Sequence, residues 1–315
     1  MSKKVIAKLE NITHDEWLKL RRLGIGGSDC AAALGMSRWR SQLDLWLDKL
    51  GQGKDVEENE AMYWGKVMEP ILLAEFSKRT GLDAQPCPLM FQSVEHPWML
   101  ADLDGIVKEK DGSTSIIEIK TANAFAAADW QDGVPAQYYL QVQHYMATVD
   151  INKTYLCVLL GGNSFQIHEI ARDQSTIDNI IALEYEFWRH VTDKTQPEAD
   201  AQSGEALAQM YPHADNVSIM LDDEADELIK EYVDVKLVEE ELKKRKAELE
   251  NKLKAKLGTA EAGKSKRGYL IKWSNSSTSR IDTAALKKNE AEIVAKYTVT
   301  SNTRRFGVTI TKINN

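Results

Sequence analysis

The chain has few cysteines and no long apolar segment, and each shortage excludes a class of protein. Its three cysteines, Cys30, Cys87 and Cys157, are odd in number and scattered, so they indicate reduced thiols rather than a disulfide framework. No C-x-x-C pair is present, so the sequence contains neither a typical structural zinc motif nor an iron–sulfur motif. Apolar runs such as residues 155–160 are far too short to span a bilayer, so no membrane association is predicted.

Positive charge is not in excess either. With 40 Lys and Arg against 48 Asp and Glu, the net charge is −8, which argues against a surface coated with basic residues for nucleic acid. A local basic channel is compatible with this balance, because surface charges are screened beyond about 8–10 Å at physiological salt. The N-terminal stretch lacks the apolar segment of a signal peptide, so we expect a cytoplasmic protein.

The composition is that of a globular protein and changes once along the chain. The 315 residues, 43% hydrophobic and 28% charged, suffice for one large domain or two ordinary ones. Near residue 195 the sequence becomes polar and carries two prolines within a short stretch, which is typical of a linker. We therefore predict a first domain at residues 1–195, a linker at 196–220 and a C-terminal extension at 221–315.

Capping signals and apolar periodicity predict the elements of the first domain. Thr13 and Glu16 form a capping box at the start of the first helix. Two glycines then lead to Ser28, which we predict to be the N-cap of a short helix ending at Gly35. Further helices are predicted at residues 41–51, 61–80, 135–149 and 174–192. Strands are predicted at residues 98–109, 114–120, 153–162 and 164–172.

The C-terminal extension begins with a long, highly charged helix at residues 222–257, followed by a basic segment and a small mixed module. Apolar residues in this region recur every seven positions, whereas the companion heptad positions are mixed. The pattern leaves open a coiled coil or, as the plainer interpretation, a helical arm packed on its own domain. The apolar row consists of Leu221, Leu228, Val235, Leu242 and Leu249.

The stretch SIIEIKTANA at residues 115–124 carries a carboxylate and a lysine within a run of isoleucines. Side chains alternate between the faces of a strand, so Glu118 and Lys120 point to one side and Ile119 to the other. A two-residue loop at Asp111-Gly112 would pair Asp104 with residue 119, and the Asp104 side chain would then lie on the opposite face of the sheet from Glu118. A three-residue loop, or a bulge at Gly105, would bring Asp104, Glu118 and Lys120 together, and we predict one of these two irregularities.

Two carboxylates that converge on one point repel each other unless a cation lies between them. Oxygen ligands favour a hard cation, Mg²⁺ or Mn²⁺, and a neighbouring lysine can orient water or stabilise a phosphate. The plainer alternative is an ion pair between Glu118 and Lys120 at a sheet edge. Glu69 is a third candidate acid, because it shares a helix face with an apolar stripe, although a solvent-facing carboxylate before Pro70 fits that segment equally well.

The order of these motifs resembles the PD-(D/E)xK nuclease superfamily, and the segments WLKLRRLGIGGSDCAAALGMSRW and VPAQYYLQVQHYM are similar to the YqaJ-type viral recombinases, relatives of phage lambda exonuclease. The resemblance covers roughly residues 10–195. It implies an α/β fold with a mixed central sheet flanked by helices, followed here by the C-terminal helical arm and a small mixed module. The motif residues are Glu69, Asp104-Gly105, Glu118-x-Lys120 and Gln141-x-x-x-Tyr145.

The activity implied by the resemblance is that of an Mg²⁺-dependent 5′→3′ exonuclease on double-stranded DNA ends, with Mn²⁺ as a substitute. Asp104 and Glu118 would bind metal together with the Ile119 carbonyl. Lys120 would act on the nucleophilic water, and Glu69 would complete the acidic cluster. The site would be lined by Gln141, Tyr138 and Tyr145. Arg21 and Ser28 would bind the 5′-phosphate. Asp102 departs from the pattern, because the lambda enzyme carries a phosphate-contacting serine at this place.

The resemblance also implies a biological setting. It is that of phage or prophage recombination in the bacterial cytoplasm, where the enzyme produces 3′ overhangs, assembles as a homotrimeric ring and works with a single-strand annealing protein. Two rival functions stay open at this point. One is an endonuclease of the same fold, and the other is a non-catalytic DNA-binding or scaffold protein that uses residues 222–257 as an interaction arm.

Overall fold

The computed structural model describes residues 3–54, 58–215, 217–301 and 303–309. The chain divides into a first unit that ends at Met210 and a second unit that begins at Tyr211. No helix in the described ranges is both long and apolar enough to cross a membrane.

Seven α-helices form in the described part of the first unit, and the predicted capping signals delimit several of them. Thr13 and Glu16 make the expected capping box, and Gly81, with φ 71°, ends the fourth helix in the left-handed conformation. The helices are α1 (His14–Arg21), α2 (Gly27–Ala33), α3 (Gln42–Lys49), α4 (Glu60–Thr80), α5 (Ala136–Val149), α6 (Gln174–Asp193) and α7 (Gly204–Met210).

The strands of the first unit form two sheets. They are β1 (Lys3–Lys8), β2 (Ile25–Gly26), β3 (Asp83–Pro86), β4 (Leu89–Ser93), β5 (Met99–Asp102), β6 (Gly105–Lys108), β7 (Thr114–Ala122), β8 (Lys153–Leu160) and β9 (Ser164–Ala171). The five-stranded sheet has the order β3-β6-β7-β8-β9, with β7 and β8 parallel and the other pairs antiparallel. The four-stranded sheet has the order β1-β4-β5-β2.

Helices cover both faces of the five-stranded sheet, and strand β7 follows the predicted alternation. Ile117 and Ile119 pack with Phe76 of α4 in one core cluster. Ile116, on the opposite face, packs with Val142 of α5 in another. The expectation of a mixed sheet flanked by helices is therefore confirmed, and Glu118 lies on the α5 side of the sheet, as its parity in the strand requires.

The predicted strand at residues 98–109 is in fact two strands in different sheets. The chain leaves the four-stranded sheet after β5 and joins the five-stranded sheet at β6. Sequence periodicity does not reveal this change, because both halves are equally apolar. The change of sheet leaves Asp104 at the junction, where its side chain is free to serve the site instead of the core.

The hairpin between β6 and β7 has the predicted three-residue loop. Lys108 pairs with Thr114, and the Glu109 N–H donates to the Ser113 carbonyl at 2.9 Å, which leaves residues 110–112 as the loop. Continuing this register beyond Gly105, which pairs with Ile117, brings Asp104 beside Glu118. A bulge is not needed for the two carboxylates to meet.

Helix α2 does not begin as predicted. Its N-cap is Gly26 rather than Ser28, because the Asp29 carboxylate at the third helical position accepts the Gly26 N–H at 3.3 Å. Ser28 therefore lies inside the first turn, and its hydroxyl is not used for capping. The Ser28 hydroxyl instead accepts a hydrogen bond from Arg21.

The first unit extends beyond the predicted domain boundary at residue 195. Within the stretch 196–220, which we predicted to be a linker, residues Gly204–Met210 form α7. Ala206 is buried in a cluster with Leu43 of α3 and Phe187 of α6, so this part of the stretch belongs to the first unit. The functional division at 195 stays a prediction.

The second unit consists of the long helix and the small mixed module that the sequence predicts. Helix α8 has no buried residue, so its apolar row is not packed within its own unit. Tyr232 and Lys254 of α8 contact Phe306 and Trp273 of the same unit, so the interpretation of an arm packed on its own domain stays a prediction beside the coiled coil. The elements are α8 (Asp223–Leu257), an antiparallel pair of β10 (Ala262–Lys264) and β11 (Leu270–Lys272), α9 (Thr283–Asn289) and α10 (Ala291–Tyr297).

At the junction between the two sheets, the backbone at Gly105 leaves no room for a side chain. A Cβ there would lie 2.7 Å from the Gln85 carbonyl oxygen and 2.9 Å from Cγ2 of Ile117. We expect Gly105→Ala to lower the free energy of unfolding by about 1–3 kcal/mol, because the strand must shift to relieve the overlap. The matched control is Gly204→Ala, where no heavy atom lies within 4 Å. Equal stability of the two variants in chemical denaturation would contradict this expectation.

Candidate active site

One cavity of about 470 Å³ collects most of the residues that the sequence singles out. It lies where the junction of β5 and β6 meets α4, α5 and the first turn of α2. Its polar lining consists of Trp17, Arg21, Ser28, Lys66, Glu69, Asp102, Asp104, Glu118, Lys120, Gln141 and Tyr145. The three predicted acids therefore face one space rather than separate regions of the molecule.

Asp104 and Glu118 are fixed by short hydrogen bonds to their neighbours. The backbone N–H of Ile119 donates to Oδ2 of Asp104 at 2.7 Å. Nζ of Lys120 donates to Oε1 of Glu118 at 2.5 Å, and Nε2 of Gln141 donates to the same oxygen at 2.7 Å. The second oxygen of Glu118, Oε2, is buried and has no hydrogen-bond partner. A buried carboxylate oxygen without a donor is costly unless a cation contacts it.

The acids at this site are harder to ionise than ordinary carboxyls. Burial and the neighbouring Asp104 raise the pKa of Glu118, and burial also raises the pKa of Asp104. Burial and Asp104 together raise the pKa of Glu69 to about 7. For Lys120, burial lowers the pKa, but Glu118 and Asp104 outweigh it and raise the pKa above its ordinary value. Lys120 is therefore an ammonium at neutral pH.

This donor set fits a hard divalent cation. Asp104 and Glu118, with Glu69 in the same cavity, supply oxygen ligands only, burial is the main cause of their raised pKa values, and one buried oxygen of Glu118 lacks a partner. A cation of the Mg²⁺ type prefers oxygen ligands, favours the ionised form of the buried carboxyls, and would be a partner for the buried oxygen of Glu118. Ile119 contributes its N–H to Asp104; a role for its carbonyl as a metal ligand stays a prediction.

The two predicted lining tyrosines have different positions. Tyr145 is buried in the cavity wall, where its hydroxyl accepts from Gln141 at 3.2 Å. A Cβ at Gly27 would lie 2.3 Å from Cε1 of Tyr145, so the start of α2 approaches α5 as closely as a glycine permits. Tyr138 is not part of the cavity lining, but its ring lies 5.4 Å from Nζ of Lys120. The Tyr138 ring is therefore a cation–π partner of the Lys120 ammonium.

Arg21 and Ser28 lie together at one end of the cavity. Nη2 of Arg21 donates to Oγ of Ser28 at 2.8 Å and to Oδ2 of Asp29 at 3.0 Å. The guanidinium also lies 5.0 Å from the ring of Trp17. The pairing of Arg21 and Ser28 that the sequence suggests is thus present. A guanidinium beside an exposed hydroxyl is a suitable arrangement for a phosphate.

Asp29 organises this end of the site, and the sequence reasoning missed it. Besides Arg21, it accepts from Nζ of Lys49 at 2.7 Å and from Nη1 of Arg40 at 3.0 Å. Burial opposes its ionisation, but the three cations together hold the pKa of Asp29 well below its usual range. The available signal was its place three residues after Gly26, where an acid can cap a helix; its cationic partners are tertiary neighbours.

Asp102 belongs to the Arg21 end of the cavity. Its Oδ2 accepts the indole N–H of Trp17 at 2.9 Å, and burial raises its pKa. It also raises the pKa of Glu69, which shows that its charge is felt at the acidic cluster. Asp102 lines the same cavity as Glu69, Asp104 and Glu118.

His144 is a structural residue, as the lack of ligand spacing predicts. Its Nδ1 lies 2.7 Å from Oε1 of Glu184, and its Nε2 lies 2.9 Å from the Leu100 carbonyl oxygen. Among the described residues, Cys30, His144 and Glu184 are the one set of three possible metal ligands within 4.8 Å of one another. Both ring nitrogens of His144 already have oxygen partners, as in a buried structural histidine, whereas Oε2 of Glu184 is buried without a partner.

The comparison with known sequences assigns the family. The profile of the YqaJ-like viral recombinase domain matches residues 16–152. The chain is 36% identical over 312 residues to the uncharacterized protein YqaJ of Bacillus subtilis (strain 168), a match that covers 96% of this chain and 97% of that protein. The chain therefore belongs to the YqaJ family of viral recombinases, and the predicted resemblance is confirmed. Asp104, Glu118 and Lys120 meet on the mixed sheet, as the predicted PD-(D/E)xK core requires, and their catalytic role stays a prediction.

Solved structures with some similarity include three structures of two exonucleases. The complex of LHK-Exo with dAMP is 23% identical with a TM-score of 0.49, and it covers 57% of this chain and 93% of that chain. LHK-Exo itself, an alkaline exonuclease from Laribacter hongkongensis, is 22% identical with a TM-score of 0.47 and the same coverage. A phage-related exonuclease from Haemophilus somnus 129PT is 14% identical with a TM-score of 0.41, covering 56% and 99%.

Binding of a divalent cation should stabilise the protein more at high pH than at low pH. A carboxyl with a raised pKa, such as Glu69 at about 7 against an ordinary 4.5, destabilises the fold once it ionises. Without metal, this cost appears as pH rises from about 5 to about 8, and the cation offsets it. We expect the rise in Tm on adding Mg²⁺ to be larger at about pH 8 than at about pH 5.5.

The substitution Glu118→Gln should abolish most of this metal-dependent rise in Tm, because it removes a buried ligand oxygen. The control Glu95→Gln, at an exposed position outside the cavity, should retain it. The same rise in Tm for Glu118→Gln and the unaltered chain would contradict the assignment of the metal site.

The Asp29 network makes a separate prediction about stability. Asp29→Asn leaves three cations without their buried counter-ion, so we expect a loss of about 3–5 kcal/mol in the free energy of unfolding. Asp48→Asn is the control, because Asp48 pairs with Arg22 and Arg40 at a more exposed place; its expected cost is about 0–1 kcal/mol. Urea denaturation of both variants measures the difference, and equal losses would show that Asp29 is not the organising charge.

Proposed function

We propose that this protein is a metal-dependent exonuclease that degrades double-stranded DNA from its ends in the 5′→3′ direction and leaves 3′ overhangs. The observation that carries the proposal is the convergence of Asp104, Glu118 and Lys120 in the cavity that also contains the Arg21–Ser28 pair. Membership in a viral recombinase family is consistent with this function.

The acidic cluster would provide the metal site. Asp104 and Glu118, with Glu69 beside them, would bind Mg²⁺, and Mn²⁺ should substitute because it takes the same oxygen ligands. When bound, the cation neutralises charge on the phosphate undergoing attack. Gln141 would contribute by position, since its amide donates to Oε1 of Glu118 and leaves Oε2 for the cation.

Lys120 would act as a charged donor at the reacting phosphate. Burial lowers the pKa of Lys120, but Glu118 and Asp104 outweigh this effect and raise it, which favours the ammonium form and a role as a hydrogen-bond donor. The ring of Tyr138 and the Glu118 carboxylate limit where Nζ can move. The ammonium is therefore suited to orient a water molecule and to stabilise the charge that develops on phosphate oxygens.

Arg21 and Ser28 would recognise the 5′-phosphate of the strand being degraded. The guanidinium is oriented by Asp29 and stacked near Trp17, and Ser28 offers an exposed hydroxyl beside it. A terminal phosphate exists only at a DNA end, so a pocket for it favours exonuclease over endonuclease action. By resemblance, the cellular proposal is a homotrimeric ring that works with a single-strand annealing protein in the cytoplasm of a phage-infected or lysogenic bacterium.

Incubation with linear and with closed circular duplex DNA, each with Mg²⁺ and with EDTA, tests the function directly. We expect loss of linear DNA only, and only with metal, and we expect Glu118→Gln and Lys120→Gln to abolish it while Glu95→Gln does not. Cleavage of circular DNA would identify an endonuclease of the same fold. Binding of DNA without cleavage under every condition would favour the non-catalytic scaffold.

Substitution of Arg21 tests the phosphate pocket independently of the metal. Arg21→Gln should reduce the rate on 5′-phosphorylated ends by about 10- to 100-fold, the effect of losing one charged hydrogen bond, and should affect 5′-hydroxyl ends much less. Arg22→Gln is the matched control, because Arg22 pairs with Asp48 instead of lining the cavity. An equal loss on both kinds of end would argue against a role in end recognition.

A further inference from the structure

Helix α8 exposes an apolar row along most of its length. It has 35 residues, which at 1.5 Å per residue gives roughly 50 Å, and none of them is buried. One apolar residue in every seven stands on the same face: Leu228, Val235, Leu242 and Leu249 are 61, 61, 63 and 45% exposed. A row with this period is the pattern of a coiled-coil seam rather than of a solvated surface helix.

Charge is segregated between the two halves of the helix. Between Asp222 and Glu241 there are ten acidic and two basic residues, so this half has a net charge of −8. Between Leu242 and Leu257 there are seven basic and two acidic residues, so the other half has a net charge of +5. The helix is therefore complementary in charge to a second copy of itself that runs in the opposite direction.

A second copy of the helix could pair in the parallel or the antiparallel direction, and a second row of residues in the seam favours one of the two. It lies four residues after the first row and contains Glu239 and Lys246 near its centre. In a parallel pair, equivalent positions face each other, so Glu239 would meet Glu239 and Lys246 would meet Lys246. Two buried like-charge layers, together with acidic halves side by side, disfavour that arrangement.

An antiparallel pair that overlaps over the whole helix has no such conflict. Each residue of one row then faces the other row of the second copy, so each charged side chain lies against an aliphatic one. The layers, written with the second copy's residue after the dash, are Tyr232–Leu249, Glu239–Leu242, Lys246–Val235 and Leu253–Leu228. Tyr232 also contacts Phe306 within the unit, with ring centroids 5.7 Å apart, and it is still 42% exposed.

We propose that α8 joins two copies of this chain through an antiparallel coiled coil. The occupant is a second copy rather than an unrelated partner, because the helix supplies both the apolar seam and the two opposite charges that such a pair requires. This proposal does not depend on nuclease activity, since α8 belongs to the second unit and contributes no residue to the cavity.

The mass of the full chain in sedimentation equilibrium tests the pairing. We expect the unaltered chain to form an assembly of twice the mass of the double variant Val235→Asp with Leu242→Asp, which is six chains against three if the homotrimeric ring also forms and two against one if it does not. The matched control, Leu237→Asp with Ala247→Asp, places the same charges on faces of α8 away from the seam and should keep the full mass. Circular dichroism and Tm verify that both variants are folded.

Two results of that experiment would overturn the proposal. One is a single-chain mass for the unaltered protein, which would mean that the seam binds something other than a second copy. The other is an unchanged mass for Val235→Asp with Leu242→Asp in the presence of intact folding, which would place the self-contact elsewhere.

Cysteine cross-linking tests the direction of the pair. Under mild oxidation, Leu228→Cys alone and Leu253→Cys alone should remain uncross-linked, whereas a mixture of the two should form a covalent dimer containing one chain of each. The unaltered chain is the blank, because its three cysteines are buried. Cross-links within either single variant, or none in the mixture, would overturn the antiparallel arrangement.

Discussion

The burial of the Glu118 carboxylate beside Asp104 is the interaction on which the site depends. A carboxylate removed from water and placed next to another acid is unfavourable unless positive charge compensates it. Lys120 and Gln141 occupy one oxygen of Glu118, and the other oxygen is left buried and without a donor. The protein thus maintains a deficit of positive charge at one point, and a divalent cation is the group whose charge and ligand preference match it.

The fold produces this deficit by changing sheets at one residue. Strand β5 ends the four-stranded sheet, β6 begins on the five-stranded sheet, and Asp104 lies between them. A three-residue loop then sets the hairpin register so that Asp104 and Glu118 share a face. The close approach of the backbones at Gly105 is what allows the crossing. The geometry of the acidic cluster is therefore a consequence of backbone topology and of a single glycine.

Sequence reasoning succeeded where local rules determine the outcome. Alternation in β7 gave the common face of Glu118 and Lys120, and counting residues around Asp111-Gly112 left two alternatives, a three-residue loop or a bulge at Gly105, of which the structure has the loop. It failed where tertiary contacts decide. Ser28 was assigned to the helix cap because serine is a common N-cap, but the N-cap is Gly26, whose N–H donates to Asp29. The ion pairs of Asp29 with Arg40 and Lys49 span 11 and 20 residues. The polar composition after residue 195 likewise concealed α7, which packs against the first unit through Ala206, Leu207 and Met210.

The central claim is that Glu69, Asp104 and Glu118 surround a divalent ion, and proton release on metal binding measures it most directly. Carboxyls with raised pKa values are partly protonated near neutral pH and must lose their protons to bind a cation. Calorimetric titration of Mn²⁺ at about pH 6.5, in buffers of different ionisation enthalpy, should show binding with net release of protons that disappears in Glu118→Gln. Binding of Mn²⁺ without proton release, or equal binding by Glu118→Gln, would contradict the account.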